Sequence, residues 1–161
     1  MKKCFFIFLL LITTLIIHGC SVKPQPVNEL YKLKLGMTLN EVEQILGSAP
    51  DKYKNEMMYK LFGSVEYPTP NEKDGLFLTF DKPDRKLMII HISDGQLELN
   101  LFGIKIGSKS EDVIKVFGQP KNKEIGSNCL FWQYPQYNIC FVLRFDKVVA
   151  LRVEDFSKKN I

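Results

Sequence analysis

Two stretches of this chain place apolar side chains at helical spacing, and strand-period runs follow each of them. Leu39, Val42, Ile45 and Leu46 recur three and four positions apart, as do Val113, Val116 and Phe117, the spacing of one helix face. Thr38 with Glu41, and Ser108 with Glu111, stand three apart ahead of these faces. At that spacing a hydroxyl and a carboxylate satisfy amide donors at a helix start. Gly47 and Gly118 predict left-handed caps at the far ends, with Pro50 and Pro120 forbidding continuation. Each predicted helix has about three turns, too few to be stable alone. The sheet it needs comes next. Residues 59–67, 75–81 and 86–93 read as strands after the first helix, and 129–134, 138–146 and 147–155 after the second. The segments DKPDRK and FDKV predict the turns between them. Residues 96–104 alternate apolar and polar positions and predict a strand joining the two sets.

The two sets match each other. With Gly36 aligned on Gly107, 71 positions apart, Leu35 meets Ile106, Val42 meets Val113, Ile45 meets Val116 and Leu46 meets Phe117. Further on, LTFDK (78–82) matches LRFDK (143–147) at an offset of 65, and KLMIIHISD (86–94) matches KVVALRVED (147–155) at 61. Residues are lost only between matched blocks, where loops tolerate deletion. The reading is an internal duplication. It predicts an α+β fold of two tandem repeats, residues 30–95 and 96–161. Each repeat is a short helical segment packed on a three- to four-stranded antiparallel sheet.

The N-terminus adds an address. Met1-Lys2-Lys3 precede an apolar run from Cys4 to Ile17, the form of a secretory signal. The run is short of the roughly 20 residues a spanning helix needs. "IIHGCS" then resembles the lipobox of bacterial lipoproteins. That resemblance implies removal of residues 1–19 as a lipoprotein signal peptide and attachment of diacylglycerol to Cys20, usually with acylation of the new amine. Several acyl chains on one residue form a stable membrane anchor. The expected location is the cell envelope, at the outer membrane if the organism has one. Residues 20–29, with two prolines and little apolar content, read as a tether. Removing 19 of 161 residues leaves 142, enough for one domain or two very small ones. Losing Lys2 and Lys3 takes the formal charge from +4 to +2. With no basic stripe, a nucleic-acid partner is not expected.

The phrase LGMTLNEVEQILG, followed by an aromatic strand and a hairpin around Phe-Asp-Lys, resembles the SmpA/OmlA lipoprotein family. Its known member is the small accessory lipoprotein of the β-barrel assembly machine. Two such units in tandem are similar in architecture to the β-lactamase inhibitory protein. The resemblance spans residues 33–155 and carries over no residue roles. It implies a lipid-anchored, non-catalytic protein-interaction module whose partner is another envelope protein, possible work being envelope or outer-membrane protein assembly. The alternatives are an inhibitor-like protein docking an open sheet on an extracytoplasmic hydrolase, or an enzyme of unrecognised type.

Candidate chemistry is sparse. Catalysis needs a poised acid, base, nucleophile or metal, and the mature chain has one histidine, His91. The duplication sets His91 against Arg152, and two different polar residues in one slot predict a solvent-facing position. Asp81 and Asp146 stand at hairpin corners, where aspartate stabilises turns. No catalytic residue, metal site or cofactor is expected. Cys129 and Cys140 are a candidate disulfide. A turn at 135–138 sets Cys140 across from residue 133, so the two cysteines share a face four positions out of register. A bridge then needs a tighter turn or a bulge to reach the required Cα separation of roughly 4.4–6.8 Å. Trp132 and Tyr134 alternate onto one face of their strand, away from Phe131. With His91 and Arg152 on an adjoining strand they form the candidate binding face.

Overall fold

The computed structural model of the chain describes residues 23–47, 64–68, 74–81, 86–93 and 100–158. The expected signal peptide, Cys20 and the first residues of the expected tether lie outside them. Chain order begins with a tight hairpin, β1 (Glu29–Leu30) and β2 (Leu33–Lys34), then helix α1 (Leu39–Leu46). Strands β3 (Ser64–Pro68), β4 (Asp74–Phe80) and β5 (Leu87–Ile92) follow. The second half has helix α2 (Ser110–Phe117) and strands β6 (Asn122–Ile125), β7 (Leu130–Tyr134), β8 (Ile139–Arg144) and β9 (Lys147–Glu154). The fold is α+β. One seven-stranded antiparallel sheet, in the order β3-β4-β5-β9-β8-β7-β6, joins both halves through the β5–β9 pair.

Both helices are shorter than the sequence suggests, at eight residues or about two turns. At α1 the expected capping box is formed. The Thr38 amide donates to the Glu41 carboxylate at 2.7 Å, and the Glu41 amide donates to the Thr38 hydroxyl at 3.4 Å. At α2 it is not. The N-cap is Lys109, without a side-chain cap, while the Ser108 hydroxyl accepts from the Lys105 amide at 3.0 Å. The helix start kept the 71-residue spacing, which moved the serine one position outside it. Gly47 and Gly118 end the helices with φ of 82° and 76°, but ψ of 173° and −165° puts both outside the left-handed helical region. That corner of the map is essentially reserved for glycine, so glycine is required for a different reason than expected.

Corresponding segments of the halves make the same bonds. The Gly36 amide donates to the Leu87 carbonyl and the Leu87 amide to the Met37 carbonyl, both at 2.7 Å. The Gly107 amide likewise donates to the Val148 carbonyl at 2.7 Å, and the Val148 amide to the Ser108 carbonyl at 2.8 Å. Upstream, Tyr31 and Lys32 turn a hairpin at positive φ between Leu30 and Leu33. Phe102 and Gly103 do so between Leu101 and Ile104, whose backbones bond reciprocally at 2.8 and 3.0 Å. The expected strand over 96–104 is therefore a tight turn in its described part, residues 100–104. Residues 94–99 lie outside the described set. LYKLKLG (30–36) and LFGIKIG (101–107) lie at the same 71-residue offset as the two helices.

One sequence match shifts register. Both central hairpins carry a bulge, with Phe80 opposite Leu87 in one and Leu143 opposite Val148 in the other. Leu143 thus occupies the place of Phe80, not Phe145 as the LTFDK/LRFDK alignment implied. Burial agrees: Phe80 is 1% exposed and Phe145 91%. Phe145 and Asp146 instead form a two-residue turn with φ of 49° and 62°.

The core lies between the helices and one sheet face. Val42 and Val113 are fully buried there with Leu33, Leu78, Ile90, Phe141, Leu151 and Val153. Ile45 is exposed, so the α1 stripe is narrower than its spacing suggests. Phe117 is the hub of the second half, with ring centroids 5.2–5.9 Å from Phe102, Tyr134, Tyr137 and Phe141. The last residues of the expected tether are docked: the Val27 amide donates to the Tyr137 carbonyl at 2.9 Å, and Asn138 bonds Asn28.

Candidate functional site

Strand alternation puts Trp132 and Tyr134 together, as expected, but on the face under α2. Tyr134 is fully buried, its hydroxyl donating to the Gly118 carbonyl at 2.9 Å, and burial pushes its phenol pKa up. Trp132 is 7% exposed, and the Lys123 ammonium lies 5.0 Å from its ring centroid. His91 and Arg152 are on the other side of the sheet. The candidate face of Trp132, Tyr134, His91 and Arg152 is therefore divided between two faces. The physical reason is the side chosen by the helix: Phe117 packs on Tyr134 and Phe141, which commits that side to the core.

The registers show which residues accompany Arg152. Asn122, Gln133, Cys140, Arg152, His91, Phe77 and Glu66 stand opposite one another in turn, one row across all seven strands. Toward β7 and β8 this row is closed, with Gln133 and Cys140 buried. Over β4, β5 and β9 it opens into a groove of about 350 Å³ lined by Phe77, Thr79, Ile89, His91 and Arg152.

At its centre the Arg152 Nε–H donates to His91 Nδ1 at 2.9 Å. That bond assigns the imidazole proton to Nε2. Burial first, and the Arg152 charge second, lower the His91 pKa to about 4. The imidazole is therefore neutral at physiological pH. The Phe77 ring meets it edge-on with centroids 5.6 Å apart, and the guanidinium lies 4.8 Å from the Phe131 ring centroid. A fixed cation, a neutral N–H donor and apolar walls make a receptor for a group that accepts hydrogen bonds.

The remaining candidates have structural places. Cys129, half-buried, and Cys140, buried, are not joined, so the candidate bridge is not formed. Cys140 stands opposite Gln133, as the turn position predicts, which leaves Cys129 four positions out of register. The Asp81 carboxylate accepts from the Lys86 amide at 2.8 Å, and that of Asp146 accepts from the Ser110 hydroxyl. Among the described residues no group of three His, Cys, Asp or Glu side chains is placed to hold a metal ion. A second cavity, about 360 Å³, lies between the 126–130 loop and the 145–146 turn, near exposed Ile125 and Phe145. Sequence reasoning missed it, because matching LRFDK to LTFDK set Phe145 in the place of buried Phe80.

No family model and no curated protein matches the chain. Among solved structures, the DUF4309-family protein YjgB of Bacillus subtilis is similar in fold, with a TM-score of 0.54 and 14% identity over 73% of this chain and 77% of that one. An extracellular protein containing a SCP domain from Bacillus anthracis aligns with a TM-score of 0.47 and 18% identity over 83% of this chain. The chain spans about half of that protein, 49% of its length. At these identities the likeness to YjgB is one of fold, an α+β arrangement on an antiparallel sheet.

Proposed function

We propose that the protein is a lipid-anchored envelope lipoprotein that works by binding another envelope protein, without catalysis, through the sheet face turned away from its helices. The observation carrying this reading is the groove around His91 and Arg152. It sets a guanidinium and an imidazole donor beside Phe77, Thr79 and Ile89 on the face opposite the described helices. The lipobox resemblance at Cys20 and the SmpA/OmlA-like phrases support the envelope address.

We further infer that the two halves descend from one duplicated unit. Shared backbone bonds, shared bulges and the twin hairpins at 30–33 and 101–104 support it. So does the β5–β9 register. Ile90 pairs with Val153 and Ile92 with Leu151, which leaves His91 and Arg152 at the point of exchange between halves. Fusion of two units thereby creates a groove that neither holds alone.

A photocrosslinking residue tests the binding face in cells. Placed at Phe77 it is expected to trap a defined envelope protein, while the same residue at Gln44, exposed on α1, traps none. Equal labelling from both positions, or none from Phe77, overturns the reading.

A further inference from the structure

The Arg152 guanidinium is an unusual residue to leave half-buried at the centre of a sheet. Its contacts among the described residues are the His91 imidazole and the Phe131 ring, and neither carries a negative charge. A cation partly removed from water is costly unless paired. Glu154 lies two positions along β9 on the same face, opposite Ile89. The His91 bond occupies Nε–H and holds the side chain in place, leaving the two terminal nitrogens of the guanidinium fork without a hydrogen-bond partner there. His91 adds one more donor, Nε2–H.

We propose that this groove receives a carboxylate side chain from an extended, apolar peptide segment of the partner protein, with Arg152 as charge partner and His91 as second donor. Three observations select that occupant. A planar guanidinium fork matches a carboxylate bidentately. The site offers a single positive charge beside a neutral imidazole, so a monoanion balances it and a phosphate dianion leaves excess charge against Phe77 and Ile89. The groove is an open trough across three adjacent strands, so a small free carboxylate gains the guanidinium alone. A peptide also covers Phe77 and Ile89 with its flanking side chains. The proposal rests on the binding face described above and specifies its chemistry.

The test uses the full chain and two capped peptides, acetyl-Leu-Glu-Leu-amide and its glutamine counterpart, with inorganic phosphate as a third probe. Binding is followed by the ¹⁵N signals of the Arg152 Nε–H and the His91 ring. The glutamate peptide is expected to shift both saturably, with at least tenfold tighter binding than the glutamine peptide. Arg152→Gln is expected to abolish the response and Arg152→Lys to weaken it, both with the wild-type melting temperature. Equal response to the two peptides, wild-type binding by Arg152→Gln, or phosphate binding as tight as the glutamate peptide overturns the carboxylate assignment. The crosslink at Phe77 separates the two levels. If it still traps an envelope protein while the peptides fail, the face stands and the carboxylate falls; loss of both removes the face as well.

Discussion

His91 is neutral in the fold because burial and the adjacent Arg152 both penalise its charged form. Its pKa is about 4 in the folded chain and near the ordinary 6.5 in the unfolded one. Below 6.5 the unfolded chain takes up a proton that the folded chain refuses. The stability involved is thus complete above about 6.5 and is lost as the pH falls through 4. Against His91→Gln, the wild type is expected to lose about 2–3 kcal/mol more between pH 7 and pH 4 in urea unfolding. Parallel curves for the two proteins would show that His91 is not shielded. Trp132 answers a different question. As a core residue its truncation to alanine is expected to cost about 3–5 kcal/mol, read as a large fall in melting temperature. Tyr134→Phe, which deletes only the bond to the Gly118 carbonyl, is expected to cost about 1 kcal/mol.

At the scale of elements, the two helices share length and place but differ in how they start and what they rest on. Thr38→Ala removes a formed cap and is expected to cost about 1 kcal/mol. Ser108→Ala, outside its helix, is expected to stay within about 0.5 kcal/mol; equal losses by chemical denaturation would contradict the asymmetry. Gly118→Ala meets no atom within 4 Å of the new Cβ. Its cost, about 1–3 kcal/mol, is therefore backbone strain. Leu46 and Phe117 occupy equivalent stripes, yet Leu46 is only partly buried while Phe117 touches four aromatic rings. Phe117→Ala is accordingly expected to be the more damaging of the two.

For the molecule as a whole, the proposed anchor at Cys20 bounds how far the domain can stand from a membrane. Val27 and Asn28 are docked beside Tyr137 and Asn138, so with Cys20 as the proposed lipid site the seven positions from there to Val27 bound the reach to about 25 Å. On that proposal, a partner meets the domain close to the bilayer. Cys20→Ser is expected to release the protein from membranes or to leave an unprocessed precursor, seen by fractionation and mass. Normal processing with unchanged membrane retention would remove the lipid anchor from the reading.

Periodicity and turn residues in the sequence determined the helix and strand types and the register that sets Cys140 opposite Gln133, because these depend on neighbours a few positions apart. LYKLKLG against LFGIKIG was legible in the same way, though alternation at 96–104 hid it behind a strand pattern. The Phe80–Phe145 mismatch was not legible. A bulge and a two-residue turn moved Phe145 out to solvent, and identical letters carry no record of strand register. The candidate site was half legible: alternation paired Trp132 with Tyr134, and the alignment of the sequence on itself set His91 against Arg152. Which pair faces the helices depends on where Phe117 packs, a long-range choice that period-two patterning leaves open. Only the tertiary structure decided it, by pairing β5 with β9 and bringing two distant polar residues into one hydrogen bond across the centre of the sheet.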